Sequence, residues 1–78
     1  MKEIKVMQLN EFSNLEYKDQ LQLVNRSGKL CKTLNISGYL FSLYEVHGFY
    51  VELKRKYDEL YFDRLIAMNF EDIPIVYK

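Results

Sequence analysis

The stretch from Tyr39 to Lys54 constrains this chain more than any other. His47-Gly48 separates two runs rich in aromatic and branched side chains, Tyr39 to Val46 and Phe49 to Lys54. Glycine supplies the positive φ that a tight turn needs, so the pattern predicts an antiparallel hairpin with a two-residue loop. Counting outward sets the register: Val46 opposite Phe49, Tyr44 opposite Val51, Leu43 opposite Glu52 and Ser42 opposite Leu53. One face then carries Leu40, Ser42, Tyr44, Val46, Phe49, Val51 and Leu53. The other carries Tyr39, Phe41, Leu43, Glu45, Tyr50, Glu52 and Lys54. Both faces are apolar enough to need a cover, and a single helix covers only one.

That helix is expected over residues 13 to 28. Ser13 followed three positions later by Glu16 fits a capping box, with Phe12 as a staple before it. Tyr17, Leu21 and Val24 recur at helical spacing, Leu23 widens the stripe, and Ser27-Gly28 suits a left-handed end. Ahead of it, Ile4 and Val6 fit a short strand, whereas Ile4, Met7 and Phe12 fit a helical lead-in. After Gly28, Leu30, Leu34 and Ile36 alternate with Cys31, Thr33 and Asn35, and Ser37-Gly38 ends the run, which predicts a first strand and a turn. Lys54 to Asp58 reads as a polar connection. Aromatic and β-branched residues then favour a fourth strand within residues 57 to 70, the alternative being a helix through Tyr57, Leu60, Tyr61, Leu65 and Met68. Ile73 to Tyr77 is apolar, and Pro74 holds it extended. This tail can cover the second sheet face or a sheet edge. The expected fold is thus a single α+β domain over residues 1–78, an N-terminal helix on a curved antiparallel meander of three to four strands.

Gly38 to Tyr44, followed by Gly48 to Leu53, resembles a set of short, uncharacterised bacterial proteins with a helix, a Leu-Tyr strand and a Phe-Phe-Val-Glu-like strand. The likeness runs over about residues 12 to 68 and consists mostly of core pattern. It implies the same α+β fold with a curved sheet and carries no known activity. The Lys54-Arg55 pair departs from the aromatic residues of that pattern at the end of the third strand.

Composition narrows the function. Eleven Lys plus Arg balance eleven Asp plus Glu, and hydrophobic residues make up 49% of the 78, so the chain is neither a disordered tail nor a general polyanion binder. No segment is long and apolar enough to be a signal peptide or a membrane span, and a cytoplasmic location is expected. One cysteine and one histidine exclude an internal disulfide and make a metal site or a Cys31–His47 nucleophilic pair a remote reading. Cys31 is expected to be a small buried hydrophobe and His47 a solvated turn residue. Glu45 and Glu52 share a face and form the one carboxylate pair worth weighing as acid and base. The simpler reading is that they face solvent, or that Glu52 accepts a hydrogen bond from a tyrosine or Lys54. No cofactor or catalytic residue is expected.

The seven Tyr and five Phe suggest contact chemistry instead. Tyr39, Phe41, Leu43 and Tyr50 on the second face suit a protein interface, with another protein or a second copy of this chain as partner. Coverage by the tail is the equal alternative. The other class of reading is RNA or single-stranded nucleic acid bound through Tyr39, Phe41, Tyr50 and Lys54. His47 to Leu53 loosely resembles the Arg-Gly-Phe-Gly-Phe-Val-x-Phe strand of RNA-recognition domains. Glu52 on that face repels phosphate and the one basic run is Lys54-Arg55-Lys56, so nucleic acid is the lesser expectation.

Overall fold

The computed structural model describes residues 7–78. Within these residues two helices, α1 (Leu9–Ser13) and α2 (Tyr17–Ser27), precede four strands, β1 (Lys29–Ile36), β2 (Tyr39–Val46), β3 (Phe49–Lys56) and β4 (Phe62–Met68). Two 3-10 turns, Phe70–Asp72 and Ile75–Tyr77, complete the chain. The strands form one antiparallel sheet in the order β1-β2-β3-β4, so the fold is an α+β meander. The alternatives for Ile4 and Val6 lie outside the described residues.

The β2–β3 hairpin has the register counted from the sequence, because His47 (φ 52°) and Gly48 (φ 94°) are both left-handed and close a two-residue loop. Ser37 (φ 51°) and Gly38 (φ 83°) repeat the device between β1 and β2. The fourth strand also forms, over Phe62–Met68 rather than the whole of residues 57 to 70. Leu60 and Tyr61 stay in the exposed loop before it.

Several local expectations are corrected. Ser13 does not cap a helix. It is the last residue of α1, and α2 starts four residues later, at Tyr17. The break at Asn14 and Leu15 lets Phe12 turn fully into the core against the Phe49 ring, with centroids 5.2 Å apart. The Gln20 side-chain amide bridges the break by donating to the Phe12 carbonyl at 3.0 Å. Gly28 is not left-handed either, since its φ is −80°. Glycine is required there by space, because a Cβ would lie 2.5 Å from the Val24 carbonyl oxygen.

A β-bulge at Cys31 breaks the simple alternation of β1. Leu30 sits beside Tyr44 on the helix face, whereas Lys32, Leu34 and Ile36 sit beside Leu43, Phe41 and Tyr39 on the second face. Lys54 ends the expected third strand, but Arg55 and Lys56 continue β3 instead of leaving it. The Arg55 guanidinium holds that end, donating to the carbonyls of Lys56, Tyr57 and Glu59, the last at 2.8 Å. A second irregularity falls between the Arg55–Phe62 and Lys54–Arg64 pairs. It puts Phe62 on the helix face, where it packs, like Leu65 and Ala67, against the main core.

The main core lies between the helices and the sheet: Phe12, Val24, Val46, Phe49, Val51 and Leu53. Each such side chain contributes about 1.5–3 kcal/mol by leaving water. A smaller cluster of Leu43, Met68, Ile73 and Tyr77 lies on the opposite face. The tail therefore covers the second face, although as two 3-10 turns around Ile73-Pro74 rather than as one extended segment.

Candidate functional site: the second sheet face

Register places the second-face residues in rows across the sheet. At the Ser37-Gly38 end stand Ile36, Tyr39 and Lys56, and the next row holds Leu34, Phe41, Lys54 and Arg64. Beyond these come Lys32, Leu43, Glu52 and Ile66, and then Glu45, Tyr50 and Met68. The tail covers the centre of the last two rows; Leu34 and Phe41 of the second row are half-buried against the edge of that cluster, and the rest of the first two rows stays open.

In the covered half, Leu43 is 4% exposed and packs with Met68, Ile73 and Tyr77. The Tyr77 hydroxyl donates to Glu52 Oε2 at 2.8 Å in a buried contact. Burial, then the bond to Glu52, raises the Tyr77 pKa well above that of an ordinary phenol, so the proton stays on tyrosine. Glu52 accepts from a tyrosine as the simpler sequence reading had it. Tyr50 is half-buried beside Phe70, ring centroids 5.9 Å apart. Its pKa is raised by desolvation first, then by Glu45 and Cys31 nearby.

In the open half, Lys54 Nζ lies 4.3 Å from the centroid of the Tyr39 ring and 5.8 Å from that of Phe41. The two rings are tilted 51° to one another at 6.5 Å. A cation over a partly exposed ring contributes about 0.5–1 kcal/mol, enough to bias the lysine toward this position. Lys32, Lys56 and Arg64 occupy the same face around the pair, and Lys56 has a partner in Glu59 at 3.8 Å. The nearest acid of the face, Glu52, is withdrawn under the tail. A formally neutral chain thus gathers several of its cations around an aromatic pair.

Of the four residues expected at an interface, then, Tyr39 and Phe41 are half-open and adjacent. Tyr50 is partly screened by Phe70, and Leu43 is covered from within the chain. The sequence singled out neither Arg64 nor Lys32. Lys32 keeps the alternation of Leu34 and Ile36, and Arg64 that of Ile66 and Met68, so both reach this face without a break in register; the bulges at Cys31 and before Arg64 turn Leu30 and Phe62 away from it.

The remaining polar residues serve other ends. His47 is not simply solvated, since its Nδ1 accepts the Met7 amide at 2.9 Å and ties the N-terminal segment to the hairpin. Cys31 is exposed rather than buried, its thiol directed at the Lys29 carbonyl at 3.5 Å. Cys31 and His47 therefore have different partners. Among the described residues no group of three or more His, Cys, Asp or Glu is placed to hold a metal ion. Nor is any helix among them long and apolar enough to cross a membrane. No family model, curated protein or solved structure matches the chain.

Proposed function

We propose that this chain is a small non-catalytic protein-interaction module that works through the open half of the second sheet face. The observation that carries the reading is the Tyr39–Phe41 pair with Lys54 across it and Lys32, Lys56 and Arg64 around it. Aromatic rings supply contact area at low entropic cost, and the cations select a partner that presents carboxylates. Apposing two copies of this patch would set like charges against each other, which favours a different protein over a second copy. An exposed, unpaired Cys31 suits the reducing cytoplasm.

Single-stranded nucleic acid is the second reading, favoured by the withdrawal of Glu52, which removes the acid that would repel phosphate. It ranks lower because Lys54 occupies a Tyr39 ring face and the two rings are tilted, so a base would have to displace the lysine before stacking. Fluorescence anisotropy with a labelled Glu/Leu peptide and with labelled oligo-dT, each at low and high salt, separates the two. The proposal expects salt-sensitive binding of the peptide, lost in Lys54→Glu, and weaker binding of oligo-dT. Tighter binding of oligo-dT replaces it with the second reading. If neither ligand binds, and sedimentation shows a dimer that Phe41→Asp dissociates, self-association replaces it. Failure of both ligands with a monomeric chain overturns the surface altogether.

A further inference from the structure

A cleft of about 440 Å³ lies between α2 and the sheet, on the helix face and therefore on the other side from Tyr39 and Phe41. Its floor is apolar: Leu21 and Val24 of α2 with Tyr44, Leu53 and Phe62 of the sheet. Val24 and Leu53 are each 3% exposed, so the cleft reaches the packed core. Its rim is polar on one side. Lys18, Gln22 and Asn25 follow one ridge of α2 at i, i+4 and i+7. Among the described residues Lys18 is the one charged residue lining it, and its ammonium makes no ion pair with any of them.

We infer that this cleft binds a small amphipathic monocarboxylate, with its aliphatic chain on the floor and its carboxylate at Lys18. The volume lies within the range of small-molecule sites, about 300–1,000 Å³, and an apolar floor with a few polar groups at one margin is how such sites fix orientation. The Gln22 and Asn25 side-chain amides add donors beside the ammonium, and among the described residues no acid lines the cleft to oppose a carboxylate. The inference is independent of the proposed protein contact, which uses the opposite sheet face.

Calorimetric titration with decanoate, 1-decanol and decyltrimethylammonium tests it, since the three share a chain and differ in head group. Decanoate is expected to bind saturably and most tightly, and the cation most weakly. Lys18→Glu should weaken decanoate about tenfold, as expected for replacing an attraction with a repulsion at a partly exposed site, and should reverse the order of the charged ligands. Asn25→Trp, on the exposed rim, should block the mouth and abolish binding while the far-ultraviolet dichroism stays that of the wild type. Lys54→Glu should leave decanoate binding unchanged. Equal affinity for the three head groups, an unchanged affinity in Lys18→Glu or in Asn25→Trp, or no binding of decanoate would each overturn the inference.

Discussion

Replacing Tyr77 by Phe keeps the ring against Leu43 and Met68 but removes the donor from a carboxylate on a residue that is 8% exposed. A hydrogen bond to a charged group contributes about 1.5–3 kcal/mol, and leaving a buried carboxylate without its donor adds a desolvation cost, so Tyr77→Phe should destabilise by about 2 kcal/mol. For a domain of this size each kcal/mol moves the midpoint by about 4–8 °C, which makes a fall of about 8–16 °C in Tm. Glu52→Leu alone should also destabilise, by about 1–2 kcal/mol, because it strands the tyrosine hydroxyl. The double variant should lie close to wild type, since removing both polar partners removes the unmet demand of each. Urea unfolding of the four proteins, followed by circular dichroism, measures the coupling directly. Two single variants within about 0.5 kcal/mol of wild type, or effects that simply add, would refute the reasoning.

The same contact has a pH signature. Because the folded pKa of Tyr77 is raised above its unfolded value near 10, its stabilisation is fully present below pH 10 and is lost as pH rises through the folded pKa. The stability difference between wild type and Tyr77→Phe should therefore be flat from pH 7 to about 10 and shrink above it; a difference that grows with alkalinity would contradict this. Phe12→Ala, at a fully buried site, should cost about 3–5 kcal/mol and leave the chain largely unfolded by circular dichroism at room temperature. Gly48→Ala should cost about 1–2 kcal/mol through its φ of 94° alone, as its surroundings have room for a methyl group. Gly28→Ala should also destabilise at an ordinary φ, because the new Cβ meets the Val24 carbonyl; urea titration that finds it neutral would show that the helix end yields freely.

Local chemistry with a short range was legible in the sequence. His47-Gly48 determines a turn, the turn determines register, and register determines both faces of β2 and β3. The same logic exposed the need for a second cover, and the apolar tail around Pro74 was a fitting occupant. Three features were not legible because tertiary packing decides them. The break between α1 and α2 follows from the demand of Phe12 for the Phe49 ring, which overrides a good capping pattern at Ser13. The two bulges slip Leu30 and Phe62 to the helix face without a marker such as glycine, while Lys32 and Arg64 keep their alternation beside Phe41 and Lys54. The tail's choice of the Leu43 half over the Tyr39 half rests on the Tyr77–Glu52 bond, a pairing 25 residues apart that spacing alone does not reveal.

The division of the second sheet face into a covered half and an open half can be read most directly by nuclear Overhauser spectroscopy on the isotopically labelled chain. Cross-peaks from the Tyr77 ring to the Leu43 and Met68 methyl groups, with none from Tyr77 to the Tyr39 ring, are the expected result. A freely averaging Tyr77 ring, or one in contact with Tyr39, would mean that the tail lies elsewhere and that the basic aromatic patch is not the surface left for a partner.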